Sequence, residues 1–340
     1  IDLQVIDVGF AVSGRTGESE VCRIAGEIAG QPFDLTKGPL LRVALLRLAS
    51  GEHVLLLVVH HIVFDAWSTG IFCRELSQIY NSLKNNKPSS LPALRIQYSD
   101  FAAWQKSRLQ GASLENHISY WKKQLDGLST LRLPMARSKL ESDSSGNARE
   151  QFQFPKELLT KLQGLNEQTG TTLFMVLLAS YQVALQRYTG QTDIAIGTPT
   201  AGRNHPHIEG LIGFFLNVLV LRTDLSANPT FRELLERVRK VCVDAFTHQE
   251  LPFEKIVKEL RPDRDLGINP LYQITFALQN TPKYPLDLMG VTARDLDIAT
   301  GLARFFDLHL FMVEEVSGLR GYVSYKTSLF QPDFIKRLIS

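Results

Sequence analysis

The chain has 340 residues, 44% of them hydrophobic and 21% charged, with a formal net charge of +2. That length and composition suit one large globular domain, or two lobes, with a sizeable core. The charge lacks the basic excess of a dedicated nucleic-acid binder, no apolar run is long enough for a membrane span, and no basic start precedes an apolar stretch as in a signal peptide. Cys22, Cys73 and Cys242 stand far apart, without zinc or redox spacing. Each is expected to fill a core position as a small apolar residue, which fits a reducing, cytoplasmic compartment.

The first residue is Ile1, and IDLQVIDV reads as a strand entered midway, so the sequence is expected to be a piece of a longer polypeptide. Residues 40–49, LLRVALLRLA, and 53–60, HVLLLVVH, predict two buried strands joined at Ser50-Gly51-Glu52. A helix follows, with Ile71, Phe72, Leu76, Ile79, Tyr80 and Leu83 on one face and Ser68 as its N-cap. His60 and His61 therefore fall at a strand end, on a loop entering a helix, where a rigid scaffold presents polar groups. Ser99 caps a helix running through Trp104, and Leu114, Ile118, Trp121 and Leu125 mark the next.

Residues 136–150, ARSKLESDSSGNARE, are polar without an apolar period and read as a linker or exposed loop. A strand pattern near 150–154 opens the second part. Leu158, Leu159, Leu162 and Leu165 predict a helix stopped by Gly170, and residues 172–188 predict a buried helix ended by Gly190. DIAIGTP and LNVLVLRT read as strands. Asn228-Pro229 starts a helix with Phe231, Leu234, Leu235, Val238, Val241, Cys242 and Ala245 on its apolar face. Pro252 opens a short helix with Phe253, Ile256, Val257 and Leu260, and LYQITFALQ, FFDLHLFMV and RGYVSYKT read as strands. Strands alternating with helices in both halves predict two α/β lobes: 1–130, a linker over 131–150, and 151–340. A cleft between lobes is the natural ligand site.

His60-His61 followed by Asp65 is the sharpest chemical signal. A histidine of near-neutral pKa takes protons from nucleophiles, and the nearby acid either orients it or locks the loop by pairing with an arginine. The same pattern also fits satisfied core histidines or part of a metal site. For metal, no third ligand falls at a typical spacing. No Gly-rich phosphate loop is present either, so no bound metal, nucleotide or redox cofactor is expected.

HHIVFDAWS resembles the HHxxxDG motif of condensation domains of nonribosomal peptide synthetases and of the wider chloramphenicol-acetyltransferase-like acyltransferases. Four further segments resemble the family's motifs, in its order: YSDFAAWQ, GTPTAGRNHPHIEGLIGFFLNVLVLRT, HQELPFEKIV and RDLGINPLYQ. The resemblance covers most of the chain. It implies two acetyltransferase-like lobes forming a V, with a tunnel and active site between them. Details of HHIVFDAWS, IGFFLNVLVLRT and PFEKIV resemble the subclass taking an L-configured donor with an L-configured acceptor. The family's opening motifs are absent, which implies missing N-terminal sequence and an incomplete first lobe. Alanine stands at Ala66 where the motif ends in glycine, near the acceptor entrance; it is strained if the backbone there needs positive φ and fits otherwise.

The resemblance implies amide formation between a donor thioester and the amine of an acceptor aminoacyl thioester. Both are carried on the 4′-phosphopantetheine of carrier domains, upstream and downstream, with an adenylation domain on the same polypeptide. Neither nucleic acid nor membrane is an expected partner, and a local basic patch is expected to dock the acidic carriers. His61 is the implied central residue, as general base or as the group positioning the amine. Asp65 is implied to point away from substrate and pair with Arg203. His60 is expected to support the loop. Asn269 either faces the cleft or is a turn residue before Pro270. Asn217 either bonds across the lobes or caps a strand end. Trp67 and Trp104 are expected to be packing residues. The alternatives are an epimerisation domain or other acyltransferase of the same superfamily, and a non-catalytic module that recruits partners. The RDLGINPLYQ and IGFFLN segments favour condensation, and the intact His60, His61 and Asp65 argue against the non-catalytic module.

Overall fold

The computed structural model describes residues 1–8, 15–89, 91–133, 146–260, 271–281, 284–296 and 306–340. The elements of the first half are β1 (Leu3–Asp7), α1 (Arg15–Gly30), β2 (Leu41–Ala49), β3 (Glu52–Val59), α2 (Ala66–Lys84), α3 (Tyr98–Arg108) and α4 (Gly111–Leu125). Then follow β4 (Asn147–Pro155), α5 (Lys156–Thr169), α6 (Leu173–Thr189), β5 (Asp193–Thr200), α7 (Pro206–Glu209), β6 (Asn217–Asp224), α8 (Phe231–Thr247), α9 (Phe253–Leu260), β7 (Ile274–Gln279), β8 (Leu308–Glu315), β9 (Gly318–Lys326) and α10 (Pro332–Ile339). They divide into two units. One holds Ile1–Tyr98, Arg203–Phe215 and residues 284–296; the other holds Ser99–Gly202, residues 216–281 and the C-terminal part.

In the first unit, β1 lies parallel to β2 and β2 antiparallel to β3, with Leu45 opposite both Val5 and Leu55. Alternation along β2 turns Ala44 and Leu46 to one face, where Val21, Ile24 and Ile28 of α1 cover them. The segment 284–296 is fastened by its backbone to side chains of α2. The Ser77 hydroxyl accepts from Asp287 N (2.9 Å), and the Asn81 side chain donates to Asp287 O (3.0 Å) and accepts from Met289 N (2.7 Å).

The second unit is built on a six-stranded sheet of order β4-β9-β8-β7-β5-β6. The β5/β7 and β7/β8 pairs are parallel and the rest antiparallel. β7 meets β5 at Thr275 opposite Gly197, and a Cβ on Gly197 would stand 2.5 Å from the Tyr272 ring. Glycine is required there by space rather than by dihedral. α6 is apolar around most of its circumference, and Val176, Leu178 and Leu185 are fully buried. Each such side chain contributes about 1.5–3 kcal/mol through burial. Gly170 and Gly190 close α5 and α6 in the left-handed conformation (φ 62° and 70°).

Several boundaries differ from those the sequence predicts. β4 begins at Asn147, inside the stretch read as loop; its alternating exposure shows why, because Asn147, Arg149, Gln151 and Gln153 take the open face. Residues 134–145 lie outside the described residues. α8 starts at Phe231, not at Asn228-Pro229: Thr230 and Glu233 form a reciprocal capping box, with Thr230 N donating to Glu233 Oε2 (2.7 Å). Cys242 is buried, but Cys73 is half-buried and Cys22 exposed, since it faces outward from α1. Trp104 is also exposed (45%), with Arg108 over its ring, rather than packed in a core. Asn217 caps a strand end. Its amide donates to Gln249 O and Leu251 O (2.8 Å each), and its oxygen accepts from Val218 N and Phe253 N (2.9 Å each), tying β6 to the turn before α9 within one unit.

Candidate active site

β3 ends at Val59, and His60 N donates to Leu40 O (3.0 Å), so the strand delivers both histidines to its rim. The chain then makes a 3-10 turn over His61–Val63 and enters α2. The His60 Nδ1 accepts from Ile62 N (3.1 Å) and must be unprotonated to do so. The His61 Nδ1 lies 2.7 Å from Phe64 O. A carbonyl has no proton to give, so Nδ1 carries it, and the neutral ring keeps its lone pair on Nε2. The adjacent histidines thus hold opposite tautomers, each set by the backbone of one turn. His60 is half-buried with its ring edge-to-face on Phe33 (5.9 Å), while His61 is exposed and edge-to-face on Phe214 (5.2 Å, 89°).

Asp65 faces the interior and is 4% exposed. It is the N-cap of α2, a place expected for Ser68. Its Oδ1 accepts from Ser68 N and Oγ (2.8 Å each) and from Arg203 (3.0 Å). Its Oδ2 accepts from Arg203 (3.2 Å) and Phe215 N (3.1 Å). The acid wins the cap because a carboxylate at a helix N-terminus serves the free N–H groups and the helix dipole together. Ser68, one turn in and fully buried, becomes a junction: its single hydroxyl proton is shared between Asp65 Oδ1 and Gly213 O (3.0 Å), and its oxygen accepts from Gly213 N (3.0 Å) and Arg203 (3.1 Å).

Arg203 donates further to Ile208 O and Leu211 O (2.7 Å each) and lies over Phe215 (4.1 Å). Burial pushes its guanidinium down from the ordinary arginine value, and Asp65 opposes that. The loop 203–215, which carries α7, is therefore gathered onto the start of α2. Tyr98 Oη adds a bond to Phe214 O (2.7 Å), and Trp67 Nε1 one to Glu209 O (2.9 Å). Trp67, half-buried, packs as the sequence pattern implies.

Ala66 is the first residue of α2 and is exposed. Among the described residues, positive φ outside glycine occurs at Asn86, Ala227 and Asn228, so Ala66 carries no such strain. His60, His61, Asp65, Ala66 and Arg203 are thus brought together in the first unit. Asn269 lies outside the described residues. The sequence pattern does not single out Ser68 as a junction, nor Phe64, Tyr98 and Phe214 as site residues, although Ser68 follows the HHIVFDAW stretch, Tyr98 opens YSDFAAWQ and Phe214 sits in IGFF. Among the described residues, no group of three or more His, Cys, Asp or Glu could hold a metal ion, and no helix is long and apolar enough to cross a membrane.

The chain belongs to the Condensation domain family, whose pattern matches residues 2–340. It is 44% identical over 339 residues to one of the linear gramicidin synthase proteins of Brevibacillus parabrevis, spanning 99% of this chain and 6% of that synthase chain. Among solved structures it is similar to the X-domain in complex with OxyB from teicoplanin biosynthesis, with a TM-score of 0.83 at 26% identity over 99% of this chain and 74% of that one. The first condensation domain of the calcium-dependent antibiotic synthetase, in complex with a substrate analogue, has a TM-score of 0.72 at 21% identity over 100% and 75% of the two chains. The α/β architecture is that of the chloramphenicol-acetyltransferase-like condensation domains.

Proposed function

We propose that this chain forms an amide bond between two thioester-linked substrates. The observation that carries the reading is the 2.7 Å contact of His61 Nδ1 with Phe64 O: with Nδ1–H committed there, a neutral ring offers Nε2 as a proton acceptor. The acceptor amine attacks the donor carbonyl carbon, a C–N bond forms, and the C–S bond breaks. The amine proton passes to Nε2 and from there to the departing thiolate. A positioned base supplies about 10²–10⁴-fold. Holding two tethered substrates in register supplies several kcal/mol more, so the reaction keeps part of its rate without the base. Asp65 and Arg203 hold the loop and take no part in proton transfer.

The substrates proposed are acyl or peptidyl groups, L-configured at the donor, on the 4′-phosphopantetheine of an upstream and a downstream carrier domain. An adjacent adenylation domain and a cytoplasmic setting complete the proposal. The family match and the long synthase of which this chain spans a small part support these partners. The test is intact-protein mass spectrometry of the acceptor carrier after mixing both loaded carriers with this protein. A dipeptidyl group on the acceptor carrier supports the reading.

A second reading, a module that recruits partners without turnover, is favoured by Ala66 in place of the motif's glycine and by the likeness to an X-domain solved with OxyB. It predicts carrier binding without product over a panel of donors and acceptors.

A further inference from the structure

We propose that Phe214 and Tyr98 form a positioning device for His61, an inference that rests on the amide-forming reading. His61 is exposed, and one hydrogen bond, Nδ1–H to Phe64 O, fixes a single atom of its ring. A ring held at one atom still swings about that bond, and water competes for it. The second constraint is the Phe214 ring, perpendicular to the imidazole (89°) with centroids 5.2 Å apart. That geometry sets an electropositive edge against an electron-rich face, the favoured contact of two aromatic rings. Together, bond and ring fix both the tautomer and the plane of the base.

Phe214 needs its own support, because it lies in a loop and is half-buried. Its carbonyl accepts from Tyr98 Oη (2.7 Å), and Phe215 N donates to Asp65 Oδ2 (3.1 Å). On its other side, Gly213 is clasped at N and O by Ser68 Oγ (3.0 Å each). The Tyr98 ring packs edge-on to Phe215 (5.1 Å) and over Gly213, and that packing delivers its hydroxyl to Phe214 O. In this device Tyr98 acts on the base through Phe214.

The experiment takes this chain with selectively ¹⁵N-labelled histidine and follows two readouts: the ring nitrogen resonances of His61, assigned with His61→Ala, and single-turnover transfer between loaded carriers. Phe214→Leu is expected to lower the rate about 2- to 12-fold, the worth of an edge-to-face pair, and to move the His61 resonances toward a mixture of tautomers. Phe214→Tyr keeps the ring and stays above Phe214→Leu in both readouts. Tyr98→Phe, which keeps the packing and deletes the hydroxyl, shifts the same resonances. Tyr98→Phe combined with Phe214→Leu is no worse than Phe214→Leu alone, because coupled sites are non-additive. Unmoved His61 resonances in well-folded Phe214→Leu overturn the proposal, as do additive effects in the double variant. If His61→Ala proves as active as wild type, the amide-forming role of His61 fails, yet the resonances still decide whether Phe214 and Tyr98 position the ring.

Discussion

Asp65 and Arg203 stand 138 positions apart in sequence and meet at 3.0 Å, with 3% and 1% of their side chains exposed. The carboxylate accepts five hydrogen bonds, from Ser68, Arg203 and Phe215. Replacing it by alanine leaves a buried guanidinium without its counter-charge. Asp65→Ala is expected to lose about 3–5 kcal/mol of stability, measured by urea denaturation, while Asp65→Asn, which keeps an acceptor for the cap, loses less. Activity in both should fall at least as far as the folded fraction, because Asp65 accepts from Phe215 N and so also holds the loop that sets Phe214 against His61.

Gly213 has no room for a side chain. A Cβ there would lie 2.5 Å from Tyr98 Cδ2 and 2.9 Å from Phe215 Cε2. Gly213→Ala must push both rings aside, at a cost of about 1–3 kcal/mol. Thermal melting should show the loss, and transfer activity should fall with it as the loop leaves His61.

At Ala66 the structure predicts the opposite of a strained substitution. The residue is helical, so Ala66→Gly is expected to lower stability by up to about 1 kcal/mol, read from denaturant midpoints. A rate gain of about tenfold with unchanged stability would instead mark the methyl group as an obstruction to the acceptor.

Acid should destabilise the second unit through its histidines. Burial holds His309 down to about 4, with its Nδ1 on Thr275 Oγ1 (2.7 Å). Burial also lowers His117 and His248, whose Nδ1 atoms lie 2.9 Å apart and share one proton. The unfolded chain takes up protons near pH 6.5 and the folded chain resists, so stability is full above about 6.5 and falls as the pH drops toward the folded values. For His309 alone the loss reaches about 2 kcal/mol at pH 5. Urea midpoints at pH 7.5 and pH 5 test this, and His309→Gln should flatten the difference.

Much of the fold is legible in the sequence where the period is strong. The apolar stretches of β2, β3, α6 and α8 mark their elements, and HHIVFDAWS falls at the strand end where the histidines stand. α1 escapes because Gly26 and Gly30 lower its helical propensity; packing of Val21, Ile24 and Ile28 on the sheet overrides that. The cap of α2 is ambiguous from sequence because Ser68 and Asp65 are both good caps locally, and only Arg203 and Gly213, distant in sequence, decide that serine turns inward. The contact of Phe214 with His61 leaves no periodic trace, since it depends on how a loop folds back 153 positions later.

The most direct test of the account compares wild type with His61→Ala, matched for folded fraction and carrier binding, by the single-turnover rate of dipeptidyl transfer to the acceptor carrier. The expected rate is about 10²–10⁴-fold lower with carrier affinity unchanged. A His61→Ala rate equal to wild type, with both carriers bound, would contradict it.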